Sequence, residues 1–150
     1  FSFLEKNCSN IIPQSKKLSD KDNFLLNKLK DNIKYLVELM NDQKLNEYIK
    51  IVVSFSFDAN KYFNDSEPWS LKKSNPEKMA SILFTICEQI KNISILLHPI
   101  IPHATSKVLD AMNIDAENRK INSITKFKCF DKNKKLKKLN ILFKKIENDN

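Results

Sequence analysis

The chain has 150 residues, a formal net charge of +8 and 41% hydrophobic residues, enough apolar content for one domain with a real core. It contains no glycine, which excludes the loops that cradle phosphates on bare backbone (a P-loop, a dinucleotide fingerprint) and a nucleophile elbow. Primed hairpin turns also lean on glycine, so an all-β fold is disfavoured.

In chain order, Phe1 to Cys8 reads as the end of a helix whose start is missing, and a chain opening on Phe rather than Met reads as a piece of a longer protein. Pro13 breaks that helix by disfavouring helical backbone at Ile12. Ser19-Asp20 caps a second helix running to Asn41, with Leu25, Leu29, Ile33, Leu36, Val37 and Met40 on one face. A third helix covers about Gln43 to Phe63. It carries two apolar stripes, Leu45-Ile49-Val52-Ser56-Ala59-Phe63 and Tyr48-Phe55-Tyr62, which predicts burial between neighbours in a bundle. It stops in the polar stretch Asn64 to Pro68.

Asn75-Pro76-Glu77 has the N-cap, first-turn proline and acid that open a fourth helix. Met79, Ile82, Leu83, Ile86, Ile90, Ile93 and Leu97 make it the most apolar helix and the centre of the predicted core. A double-proline turn, His98 to Pro102, leads into a fifth helix with Ile101, Thr105, Val108, Leu109 and Met112 inward. Past Asn113 the periodicity loosens. Ile121 to Phe130 reads as extended, and Lys132 to Lys138 is a charge run. The expected fold class is all-α, a bundle of four to five helices over residues 1–115, followed by an irregular basic extension over 116–150.

The charge is uneven: residues 126–150 hold nine Lys against three acids. Such a surface favours polyanions. A composition biased toward Lys and Asn, with the single Arg119, accounts for the same excess without any partner. Cys8, Cys87 and Cys129 stand far apart, and neither a zinc site nor a disulfide framework is expected. Reduced thiols fit the cytoplasm. The apolar run Ile93 to Ile101 is too short to span a membrane, and no membrane partner is expected.

One segment carries a specific signal. Asn60-Lys61-Tyr62 closes the third helix, and Glu67-Pro68-Trp69 presents the only Trp in a polar turn rather than on an apolar stripe. An indole held in a turn beside Lys61, Lys72 and Lys73 suits stacking on an unpaired base, with the cations on phosphates. The plainer reading makes Trp69 a plug at the bundle end, Asn60 and Tyr62 structural, and the lysines simply solvated. His98 and His103 bracket the proline turn without a positioned partner, which suits a capping or surface role.

These residues carry a resemblance. Asn60-Lys61-Tyr62, Glu67-Pro68-Trp69, Leu97-His98-Pro99-Ile100-Ile101-Pro102 and Leu142-Phe143-Lys144-Lys145-Ile146-Glu147 follow one another as in the C-terminal anticodon-binding domain of bacterial methionyl-tRNA synthetases. Order and spacing resemble that family over nearly the whole chain. The Pro-Trp and double-proline turn also occur in looser form among the synthetases for isoleucine, valine, leucine and cysteine; the closing Leu-Phe-x-x-Ile-Glu favours the methionine type.

The resemblance implies that Trp69 stacks on an anticodon base, with Asn60, Lys61, Tyr62, Lys72 and Lys73 as weaker RNA contacts. It implies a methionine-acceptor tRNA with a CAU anticodon as partner. It further implies a parent enzyme that joins methionine to that tRNA with ATP and magnesium, bound in a separate catalytic domain. No catalytic residue, metal ligand or cofactor site is expected in these 150 residues. The family's Asn and Arg, four apart on the first helix, align just ahead of Phe1. Its tail runs back toward the catalytic domain, which implies the same for residues 136–147. The rival readings are the matching domain of another class I synthetase, a non-enzymatic helical interaction module, and a sequence-independent basic DNA binder.

Overall fold

The computed structural model describes residues 1–15, 17–125, 130 and 134–143. Seven helices follow one another among them: α1 (Ser2–Cys8), α2 (Asp20–Asp31), α3 (Ile33–Asn41), α4 (Leu45–Ser66), α5 (Leu71–Ser74), α6 (Pro76–Leu97) and α7 (Pro102–Ala111). Five of these exceed eight residues, in line with the expected all-α bundle, and the described residues contain no strand.

The ends of the helices follow from the residues at them. Ser19 opens α2 with a reciprocal box: its hydroxyl accepts from the Asp22 backbone N–H at 3.3 Å, and the Asp22 carboxylate accepts from the Ser19 N–H at 2.7 Å. Asn75 opens α6 by accepting from the Lys78 N–H at 3.0 Å, with Pro76 at the first helical position. Without glycine, the left-handed turns fall to residues that carry a Cβ: Ser9, Asn10, Gln43, Glu67 and Asn113 all have φ between 44° and 62°.

The single helix expected over residues 20–41 is two. Asn32 turns its own amide back to the Lys28 carbonyl at 2.8 Å, and its backbone N–H bonds the Leu29 carbonyl at 3.1 Å. That tightened turn separates α2 from α3. Leu25, Leu29 and Leu36 are buried as the periodicity predicts, whereas Val37 is exposed.

The two 22-residue helices α4 and α6 form the spine. They run antiparallel: Tyr48, near the start of α4, donates its hydroxyl to the Leu96 carbonyl near the end of α6 at 2.6 Å. Helices α2 and α3 pack on α4, and α2 and α7 pack on α6. The core is centred where expected, on Met79, Leu83, Ile93 and Leu96 of α6 with Val52 and Phe55 of α4. By length and apolarity alone α6 would also pass for a membrane span, yet most of it is buried against the other helices.

α6 departs from an apolar rod in one respect. Thr85, Glu88, Gln89, Lys91 and Asn92 are also completely buried. Lys91 donates to Glu88, and its ammonium lies 5.7 Å from the centre of the Phe130 ring.

The core continues past residue 115, with Ile124 and Leu136 buried in it. In the segment expected to be extended, 121–130, residues 121–123 form a 3-10 turn and 126–129 lie outside the described residues. Further on, Lys135 bridges Ile11 in an antiparallel pair, Leu136 donates to the Asn10 carbonyl at 2.7 Å, and Lys137 donates to Ala111 at 2.8 Å. Lys16, Cys129 and the end of the chain from Lys144, including the Ile146-Glu147 pair, lie outside the described residues.

Candidate nucleic-acid interface

The site is built where α4 ends. Glu67 takes a left-handed conformation (φ 44°, ψ 55°), which stops the helix and turns the chain. Pro68 follows, buried, with its fixed φ at the head of a 3-10 turn, Pro68–Ser70. Ser70 locks that turn twice, donating to the Glu67 carbonyl through its N–H at 3.0 Å and its hydroxyl at 2.8 Å.

Trp69 sits in the middle of this turn and is 51% exposed. Its indole meets the Phe63 ring edge-on, centroids 6.0 Å apart at 63°. Phe63 in turn meets Phe3 of α1 at 5.9 Å and 89°. Three aromatic rings thus step from α1 across α4 to the surface.

The other expected contacts divide between the two flanks of α4. Asn60 is exposed and borders an apolar cavity of about 290 Å³ with Phe1, Phe3 and Phe63, on the Trp69 side. Lys72 and Lys73 are exposed on α5, one turn beyond Trp69. Burial raises the pKa of the Cys8 thiol in α1, and Lys72 lies close enough to act against that rise. Lys61 and Tyr62 face the opposite flank, an open groove of about 750 Å³ between α2, α4 and the start of α6. Trp69, Asn60 and Lys72 therefore share the α1 flank, while Lys61 and Tyr62 do not.

Tyr62 spends its hydroxyl inside the groove. It donates to Asp22, as does Ser81. Burial alone would raise the pKa of Asp22, but the bonds from Ser81, Tyr62 and Ser19 outweigh it and hold the carboxyl below the usual range. The Tyr62 phenol is pushed up, first by burial and then by that carboxylate.

The remaining chemistry-bearing residues have quiet surroundings. His98 shares a 2.9 Å hydrogen bond with Thr105, which pins the double-proline turn. Burial pushes the Cys87 thiol up to about 12, so it stays protonated. Among the described residues no three His, Cys, Asp or Glu side chains gather around one point. What sequence reasoning missed is the pair of supporting rings. Phe63 reads as one more core residue on its stripe, and only its spacing of six from Trp69 across a helix break could have marked it.

The family model for the anticodon-binding domain of methionyl-tRNA ligase matches residues 12–150. The chain belongs to that family. Methionine–tRNA ligase of Brucella suis biovar 1 is 30% identical over 118 residues, covering 79% of this chain and 23% of the relative. That of Rickettsia prowazekii is 31% identical over 121 residues, covering 79% and 24%. The chain therefore spans about a quarter of the length of the curated relatives it matches. A crystal structure of apo methionyl-tRNA synthetase from Mycobacterium tuberculosis shares the fold, with a TM-score of 0.88 and 21% identity over 97% of this chain and 30% of that one. These matches favour the methionine type over the synthetases for isoleucine, valine, leucine or cysteine.

Proposed function

We propose that this anticodon-binding domain reads its tRNA with Trp69, whose indole stacks on an unpaired anticodon base. Lys72 and Lys73 hold the flanking phosphates, and Asn60 adds a polar contact on the same flank. Lys61 reaches the RNA only along the far side of α4, and Tyr62 acts by fixing that side to α2. The observation that carries this reading is the indole itself: half exposed, in a locked turn, in a domain of the anticodon-binding family.

The partner is a methionine-acceptor tRNA with a CAU anticodon. The whole protein joins methionine to that tRNA with ATP and magnesium, held in a catalytic domain beyond these residues, in the cytoplasm. The relatives' name, methionine–tRNA ligase, supports this. Ile124 and Leu136 hold the first part of the extension on the bundle, and past them Ile141 and Phe143, largely exposed, supply apolar surface for contact with that domain. Binding at the anticodon fixes the acceptor end far away, so part of its effect appears in the rate of aminoacylation rather than in affinity.

The test uses Trp69, the only Trp, as reporter. A stem-loop with a CAU anticodon quenches indole fluorescence, and changing one anticodon base weakens the quenching. Trp69→Ala lowers affinity by about 1–3 kcal/mol, the usual worth of one stacked base. Quenching that ignores the anticodon and fades with salt would reduce the domain to a basic RNA binder.

A further inference from the structure

We infer that Phe63 is a positioning residue for anticodon reading: it fixes the plane of the Trp69 indole before RNA arrives. The inference rests on the stacking role of Trp69. An aromatic side chain in an exposed turn ordinarily samples several rotamers, and a base that stacks on it must first freeze two torsions. Here the freezing is done in advance. The backbone of Trp69 is held by left-handed Glu67, by Pro68 and by the two hydrogen bonds from Ser70 to the Glu67 carbonyl. Its ring is held by the edge-on contact with Phe63, within the 4.5–7 Å range where such pairs attract. An edge-on contact uses at most one face of the indole, and half of the side chain stays open to solvent.

Phe63 is itself supported from behind. Its backbone lies in the last turns of α4, and its ring is wedged against Phe3 at nearly a right angle. The platform is therefore anchored on two helices, α1 and α4, rather than on the turn alone. An aliphatic side chain such as leucine keeps apolar contact but loses the directional edge contact.

The test compares Phe63→Leu, Phe63→Tyr and Trp69→Ala in this chain. Two readouts are taken: time-resolved anisotropy of the indole without RNA, and affinity for the CAU stem-loop. Phe63→Leu should widen the fast indole motion and weaken binding about three- to tenfold, the range expected for losing one pre-ordered side chain. Phe63→Tyr keeps the ring and should restore both. Phe3→Leu, one ring further back, provides the same comparison if Phe63→Leu melts below the assay temperature. Unchanged indole motion in Phe63→Leu overturns the inference outright. If Trp69→Ala weakens binding and Phe63→Leu does not, the inference falls and the stacking reading stands. If Trp69→Ala binds as tightly as the native chain, the stacking reading falls and takes the inference with it.

Discussion

Asp22 shows how one carboxylate organises the flank of α4 that Trp69 does not use. It caps α2 and accepts bonds from Tyr62 of α4 and Ser81 of α6, so three helices meet on two oxygens. Its pKa is held below that of an unfolded aspartate, about 3.9. The stability this contributes is fully present above that value and is lost as the pH falls through the lower, folded one. Tyr62→Phe should cost about 1.5–3 kcal/mol at neutral pH, as for a hydrogen bond to a charged group. Its deficit should shrink as the pH falls from about 4 and be smallest only below the native carboxyl's lowered pKa, because the variant, without the Tyr62 bond, takes up its proton first. Urea unfolding of both chains between pH 7 and pH 2 measures this. The exposed Trp69 was legible in the sequence because Pro-Trp falls in a polar turn off every apolar stripe. Asp22 was not, since an acid in the first turn of a helix reads as an N-terminal charge, and nothing local shows that a tyrosine forty residues on will find it.

At the scale of helices, periodicity located α4, α6 and α7 closely because each buries a continuous face. It missed the break at Asn32, which one side-chain-to-backbone bond creates without interrupting the apolar spacing. It also missed the character of α6. A helix surrounded on all sides buries its polar residues along with its apolar ones, and their burial cannot be read from a pattern that assumes a wet face. The Glu88–Lys91 pair is wholly enclosed, and the second oxygen of Glu88 has no hydrogen-bond partner among the described residues. Such a pair is retained at a desolvation cost that its own attraction barely offsets. Lys91→Met alone should therefore destabilise the bundle by about 3–5 kcal/mol, whereas Glu88→Leu combined with Lys91→Met should regain native stability or exceed it. Equilibrium urea unfolding of the two variants decides the matter.

Across the whole fold, residues 135–137 tie the exit of α1 to the end of α7, and Leu136 is buried. The sequence showed these positions as a charge run, because four lysines surround the one leucine that anchors it. Long-range pairing of this kind follows the local helices in folding, as its loop must be closed first. Leu136→Ala should lower global stability by about 2–4 kcal/mol, the lower part of the range for buried leucines because the site lies at the rim of the core. Hydrogen exchange should show α1 and residues 135–137 losing protection together and well before α4 and α6.

The five left-handed residues bear on how the domain would meet heat. Each sets a Cβ against its own carbonyl, at a cost of about 1–2 kcal/mol for Ser9, Gln43 and Glu67 and less for Asn10 and Asn113, whose side chains tolerate this conformation. Glycine would remove that cost, less about 0.5–1 kcal/mol of extra freedom in the unfolded chain. At Gln43, an exposed link between α3 and α4, Gln43→Gly should raise the melting temperature by about 2 °C with RNA affinity unchanged, which calorimetry and the stem-loop titration check together. At Glu67 the same exchange relaxes the turn that presents Trp69. A lineage adapting to warmth could take the first substitution freely, while the second would trade a stiffer reading surface for a hotter melt.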